Sequence, residues 1–148
     1  MALKIFTTQL AMKIINQISA GGIVFKGNLW LICQHSQHKG WVFPKGFVGD
    51  INKGESNETA ALREVEEEGG VKAKIVNNQP IKTQYSYAWK GDIIKKTVYY
   101  FLMEYVSGNP KSHDFEMMDA KFVTKDEVKN TLTYPSDFQA FEKILQGL

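Results

Sequence analysis

The stretch from Glu55 to Glu68 limits what this chain can become more than any other. Ala60, Ala61, Leu62 and Val65 sit among charged residues at helical spacing, Ser56 or Asn57 can cap the start, and Gly69-Gly70 stops the run. A helix of roughly three to four turns is predicted there. Its surroundings have a different texture. Val71 to Val76, Thr83 to Trp89, Ile93 to Val106 and Ala120 to Val123 are rich in β-branched and aromatic residues. Asn77-Asn78, Gly91-Asp92 and Gly108-Asn109-Pro110 part them, so they read as strands and hairpins.

Upstream, Ile23-Val24-Phe25 and Leu29-Trp30-Leu31-Ile32 flank Lys26-Gly27-Asn28, the pattern of a hairpin. Trp41 to Phe43 is a short strand stopped by Pro44, and Lys45 to Gly54 reads as loop. Residues 12 to 18 fit either an opening helix turn or an added strand. Two closing helices are expected, Lys125 to Asn130 and Ser136 to Leu145, the second with Phe138, Phe141, Ile144 and Leu145 on one face. Mostly strands, with one long helix between them and helices at the end, imply an α+β chain: a mixed β-sheet flanked by helices.

Composition narrows the function classes. At 148 residues with 43% hydrophobic content, residues 1–148 are expected to form a single domain, with 1–18 as an N-terminal extension. No run approaches the ~20 apolar residues of a membrane-crossing helix. Lys13, Asn16 and Gln17 break the apolar stretch Leu10 to Ile18, so no export signal is read. A single cysteine, Cys33, excludes an intrachain disulfide and a cysteine-based zinc cluster, which suits a reducing, cytoplasmic setting. Lys and Arg total 18 against 16 acids, a net charge of +2, too little for bulk nucleic-acid binding.

The helix carries the chemistry. At 100° per residue, Glu67 and Glu68 fall within about 60° on either side of Glu64, so three carboxylates share a stripe while Leu62 and Val65 point to a core. Like charges at this spacing repel, and they occupy the last turn, where the helix dipole already disfavours negative charge. Acid runs on helices are commonly solvated faces. Here the neighbouring turn has no Lys and only Arg63 is close, whereas a divalent cation would reverse the sign of the penalty. Oxygen-only ligands suit Mg²⁺ or Mn²⁺, ions that work together with substrate phosphates.

Gly49, five residues, Glu55, seven residues, then Arg63-Glu64-Val65-Glu66-Glu67-Glu68-Gly69-Gly70-Val71 resembles the Nudix hydrolase signature, G-x5-E-x7-R-E-U-x-E-E-x-G-U with U aliphatic. Every fixed position matches, and chance would give this on the order of 10⁻⁸ times per start position. In many members the first Gly directly follows Pro-Lys, as Gly46 does here. Counting from Gly46 leaves three extra residues before Glu55, so the metal-binding backbone carbonyl of the family falls to either Gly46 or Gly49. Trp41-Val42-Phe43-Pro44-Lys45-Gly46 and Lys96-Thr97-Val98-Tyr99-Tyr100-Phe101-Leu102 look like the diadenosine polyphosphate hydrolase branch. So do Glu116 to Phe122 and Thr133 to Asp137.

The resemblance implies the Nudix fold, an α/β/α sandwich with its catalytic strand-loop-helix at residues 41–71. It implies a Mg²⁺-dependent pyrophosphohydrolase acting on a nucleotide or other phosphoanhydride, foremost a dinucleoside polyphosphate. Nucleoside triphosphates, ADP-ribose, diphosphoinositol polyphosphates and 5′-triphosphate RNA are the alternatives, and a nucleotide-binding sensor is the non-enzyme rival. Glu64, Glu67 and Glu68 are the implied metal ligands with Gly46, and one of these acids or Glu116 takes the proton of the attacking water. Arg63 suits pinning the preceding loop through Glu55, while Gly49, Glu55 and Gly70 are structural within the motif. Lys45 and Lys96 are expected to meet phosphates, with Lys95 a weaker candidate. Tyr85, Tyr87, Trp89, Tyr99 and Tyr100 cluster on two strands, and Tyr87, Trp89 and Tyr100 are the expected base contacts. His35, His38 and His113 read as isolated polar loop residues, and Met117-Met118 as packing.

Overall fold

The computed structural model describes residues 12–49 and 53–148. Strands β1 (Ile14–Lys26), β2 (Leu29–His35), β3 (Trp41–Val42) and β4 (Lys45–Phe47) precede helix α1 (Asn57–Gly69). Then come β5 (Val71–Ile75), β6 (Ile81–Trp89) and β7 (Asp92–Gly108). A 3₁₀ turn (Pro110–Ser112), β8 (Met117–Thr124), α2 (Lys125–Thr131) and α3 (Pro135–Gln146) close the chain.

All eight strands join one sheet. Its axis is the parallel pair β1 and β7, which runs from Ile14 opposite Ile93 to Phe25 opposite Glu104. The other pairings are antiparallel: β2, and at Ser19 to Gly21 also β4, on β1; β3 and β8 on β2; β5 and β6 on β7. The pairing with β7 makes residues 14–18 an extension of β1 rather than a helix turn. Lys45 to Phe47, expected as loop, is strand, because its backbone completes the ladder beside Ser19 to Gly21.

Alternation along the central strands builds two cores. Val24 and Ala20 of β1 and Phe101 and Met103 of β7 face α1, where they pack with Ala60, Ala61 and Val65. Ile23 and Val98, Tyr100 and Leu102 face the other way and pack with Phe43, Val128, Ala140, Phe141 and Ile144. The result is three layers: α1, the mixed sheet, then α2 with α3. Among the described residues, no helix is long and apolar enough to cross a membrane.

Phe141 is the hub of the second core. It is fully buried, with its ring edge-on to Trp30 at 5.1 Å and tilted against Phe43 at 5.8 Å. Removing an aromatic side chain from such a site leaves a void its neighbours cannot fill. Phe141→Ala is expected to cost about 3–5 kcal/mol of stability, read as a lower urea midpoint at constant slope.

Candidate active site

The N-terminus of α1 is capped by Ser56, whose hydroxyl accepts from the Thr59 N–H at 3.1 Å. At the other end Gly70 takes the left-handed conformation, φ 73°, and its N–H donates to the Glu66 carbonyl, which stops the helix where the acids gather. Rotation about the helix then sorts the side chains. Val65 is buried in the core, Glu66 is exposed to solvent, and Glu64, Glu67 and Glu68 line a cavity of about 690 Å³.

Arg63 holds this end of the helix to the preceding loop. Its Nη2 donates to Glu55 Oε1 at 2.7 Å and to the Phe47 carbonyl at 3.3 Å, and Nε donates to Glu55 Oε2 at 3.3 Å. Glu55 Oε1 in turn accepts from the Gly49 N–H at 3.0 Å. The guanidinium also reaches the acids themselves, with Nη1 donating to Glu64 Oε1 at 2.8 Å and to Glu67 Oε2 at 3.2 Å. That second set of contacts goes beyond pinning the loop through Glu55. The hydrogen bonds from Arg63 hold the Glu55 carboxyl below its ordinary range, against the effect of its burial.

Glu64 and Glu68 are each only 5% exposed. Burial pushes Glu64 up to about 7 although Arg63 pulls the other way, and it pushes Glu68 up to about 8 with Glu64 adding repulsion. The Lys45 N–H donates to Glu68 Oε1 at 3.1 Å, which ties β4 to the helix. A Cβ on Gly46 would stand 2.2 Å from the Glu64 carboxyl, so only glycine lets this strand pass so close to the acid. The two glycines of the motif have therefore separated: Gly46 abuts Glu64 and lines the cavity, whereas Gly49 anchors the turn through Glu55.

The far wall comes from the loop before β8. The Asp114 N–H donates to the Glu67 carbonyl at 2.8 Å, and the N–H and hydroxyl of Ser36 both donate to the Glu116 carbonyl, at 2.9 and 2.8 Å. Asp114, Glu116 and Met117 thereby face the helix acids. Lys45 and Lys96 line the same cavity, and Lys96, its ammonium 4.6 Å from the centre of the Phe47 ring, is lowered to about 8 by burial. Lys95 is exposed on the opposite side of the strand.

A second cavity of about 710 Å³ continues from the first, sharing His38, Val42, Lys45 and Tyr85 with it. Gln84, Tyr87, Tyr134, Ser136, Asp137 and Gln139 complete its lining with Pro135. Tyr87 is therefore beside the acidic cavity. Trp89, on the same face of β6, lies about 7 Å farther along the strand and lines neither cavity. Tyr100 is not at the surface at all: it is fully buried in the core and donates its hydroxyl to Asp137 Oδ1 at 2.6 Å.

Several lining residues had no signal of their own in the sequence. His35 and His38 stack with ring centres 4.2 Å apart, the Gly40 N–H donates to His38 Nδ1 at 3.0 Å, and the Tyr134 hydroxyl oxygen lies 2.8 Å from the same nitrogen. Nδ1 is thus an acceptor, and burial with the neighbouring His35 keeps the ring below its ordinary pKa. Their spacing of three residues, from the end of β2 into the turn after it, was the available hint. Tyr134 and Asp137 reach the site from the start of α3, far away in sequence.

Residues 15–144 match the sequence model of the NUDIX domain family. The chain belongs to the Nudix family. A putative mutator protein, MutT4, of Mycobacterium tuberculosis (strain CDC 1551 / Oshkosh) is 27% identical over 136 residues, covering 85% of this chain and 53% of the relative. The chain thus spans about half the length of that curated relative. Among solved structures, a NUDIX hydrolase from Nitrosomonas europaea superposes with a TM-score of 0.68 at 19% identity, covering 89% of this chain and 90% of the other. An Ap4A hydrolase from C. elegans gives 0.64 at 22% identity, covering 90% and 98%. Both share the fold, the mixed sheet between helix layers described above.

Nudix hydrolases generally use divalent metal ions. The donor chemistry of this Nudix site fits such ions: Glu64, Glu67 and Glu68 supply carboxylate oxygens at one cavity, past which Gly46 runs. Among the described residues no three acidic, histidine or cysteine side chains already surround one point, and Arg63 Nη1 bridges Glu64 to Glu67. The guanidinium thus holds positive charge beside these acids.

Two raised acids make stability depend on pH. Glu64 and Glu68 bind protons more readily folded than unfolded, so their contribution is complete below their ordinary value near 4.5 and is lost as pH rises through about 7 to 8. Glu55, shifted down, acts oppositely and in a separate, more acidic window. The melting temperature of the metal-free protein in chelator is expected to fall between about pH 5 and pH 8. A profile that rises over this range would contradict the desolvated pair.

Proposed function

We propose that this Nudix hydrolase is a Mg²⁺-dependent pyrophosphohydrolase of dinucleoside polyphosphates, cleaving diadenosine tetraphosphate into ATP and AMP. The observation that carries this reading is the continuity of the two cavities: an acidic one rimmed by lysines opens directly into one lined by tyrosines. A polyphosphate chain fits the first and a base fits the second. Nucleoside triphosphates form the second reading, favoured by there being one such tyrosine-lined cavity beside the acids among the described residues.

Glu64, Glu67 and Glu68, with the Gly46 backbone, would hold the ions, which when bound neutralise the phosphates and make water more acidic. Arg63 fixes two of those acids and the loop before them. Lys45 and the half-buried Lys96 meet phosphate oxygens, and an anion beside Lys96 reverses the loss of basicity that its burial causes. One helix acid, or Glu116 from the facing loop, accepts the proton of the attacking water. Tyr87 and Tyr134 offer faces to the base, and Trp89, off the cavity, does not. The buried free Cys33 suits a reducing, cytoplasmic setting.

A panel of phosphoanhydrides with Mg²⁺, its products resolved by chromatography, tests the reading. Diadenosine tetraphosphate should be the best substrate and give ATP and AMP, and turnover should vanish in excess chelator. Binding without turnover of any member would instead favour a sensor.

Within the site, Glu67→Gln and Glu68→Gln are each expected to lower kcat roughly 10²-fold or more. Glu66→Gln, on the solvent face, should stay near the parent. Equal losses at all three positions would overturn the assignment of the acids.

Base stacking is worth about 1–3 kcal/mol, so Tyr87→Ala should raise KM for diadenosine tetraphosphate about tenfold with little change in kcat. Trp89→Ala should leave both constants near the parent values, and a large rise in KM there would place the base elsewhere.

A further inference from the structure

Among the described residues, one large apolar side chain in the lining of the acidic cavity is exposed: Phe47, at 42%. Most of its neighbours there are carboxylates, lysines and histidines. Exposed apolar residues scattered singly are ordinary on a protein surface, but this one stands beside a group expected to meet phosphate: the Lys96 ammonium is 4.6 Å from the ring centre. The backbone under the ring is held twice. Phe47 pairs with Ser19 in the sheet, and its carbonyl accepts from Arg63 Nη2 at 3.3 Å. Register then sets where the ring stands relative to the tyrosines. Phe47, Ser19, Val98 and Thr83 form one row across β4, β1, β7 and β6, and residues opposite one another share a face. Two residues along β7 and β6 from that row, on the same face, Lys96 lies opposite Tyr85. Lys96 therefore has Phe47 on one side and Tyr85, where the tyrosine cavity begins, on the other, with β4 and β6 about 14 Å apart.

A dinucleoside polyphosphate carries a base at each end of its phosphate chain, and the tyrosine cavity takes one. We propose that the Phe47 ring stacks on the second base, making the acidic cavity a two-ended site with an aromatic platform on either side of Lys96. The inference rests on the reading above that the substrate is a dinucleoside polyphosphate with one base against Tyr87. A phenyl ring offers the π-face that stacking needs and no hydrogen-bonding edge, so it holds the second base whatever its identity. Phosphate is a stronger partner for an ammonium than an exposed ring face, since a hydrogen bond between charged groups exceeds cation–π attraction at such a site. A phosphate chain that engages Lys96 thus leaves the ring to the base beside it. A nucleoside triphosphate has no second base to place there, so Phe47 bears on the choice between the two readings of the substrate.

Two ligands with the same phosphate count and charge separate the second base from the phosphates: diadenosine tetraphosphate and the terminal methyl ester of adenosine 5′-tetraphosphate, both made uncleavable by methylene groups in place of the bridging oxygens. Titrated calorimetrically in Mg²⁺, the unmodified protein is expected to bind the dinucleotide about tenfold tighter, equivalent to ~1.4 kcal/mol. Phe47→Ala and Phe47→Leu should each remove that difference and leave the affinity for the methyl ester unchanged, whereas Phe47→Trp should keep it. A ring that merely supports Lys96 would weaken both ligands together in Phe47→Ala. That result overturns the proposal, as does equal binding of the two ligands by the parent or a difference that survives Phe47→Leu. Should Phe47→Ala lose cooperative unfolding, the parent and Phe47→Leu decide. Cleavage of diadenosine tetraphosphate with equal binding of the two ligands would remove the second base site and keep the proposed function. A Phe47-dependent preference for the dinucleotide in a protein that does not cleave it would remove the hydrolytic reading and keep the site. Binding of neither ligand overturns both.

Discussion

Negative charge gathered at the last turn of α1 sets the conditions for everything packed around it. Glu64 and Glu68 have almost no exposure, and Glu68 sits in the last turn, the part of a helix least suited to anions. Arg63 offsets part of that cost by donating to Glu55, Glu64, Glu67 and the Phe47 carbonyl at once. A lysine could not do this, because a single ammonium lacks the planar fork that faces three carboxylates and a carbonyl in different directions. Both buried acids still stand above their ordinary range, because burial outweighs what Arg63 and the Lys45 N–H give back.

The sheet places the rest of the site around those acids. The parallel pair β1 and β7 carries β4 on one side and β6 on the other, which brings Gly46 against Glu64 and Lys96 into the same cavity. Backbone hydrogen bonds from Asp114 to the helix end and from Ser36 to Glu116 close the opposite wall. Strand ends, a helix end and a loop thus meet at one place, held by backbone pairing and by the Glu68 carboxylate, which accepts from the Lys45 N–H. The tyrosine cavity follows from the other core: Phe141 and Ala140 seat α3 on the sheet, and its first turn then faces β6.

Adjoining cavities of different chemistry divide the work of recognition. Lysines and acids suit a charged chain, while Tyr85, Tyr87 and Tyr134 suit a flat apolar ring with polar edges. His38 stands at the junction with Nδ1 engaged by Gly40 and Tyr134, which holds its ring in a fixed orientation toward both.

The helix, its caps and the facing of its acids were legible in the sequence because they depend on residues at most a few positions apart. Ser56, Gly70, the buried Val65 and the exposed Glu66 follow from rotation of 100° per residue. The strands were legible from composition, and the resemblance carried by Gly49 to Val71 named the family. Local spacing could not tell whether residues 14–18 were strand, since only pairing with β7 decides it. Nor could it divide Gly46 from Gly49, because the difference lies in how near β4 passes to Glu64. Alternation put Tyr87 and Trp89 on one face but not the depth of the cavity that face meets, and it could not show that Tyr100 turns inward to Asp137. His38, Tyr134 and Asp137 come together only when α3 docks beside β6, a contact set by side-chain packing across the whole chain.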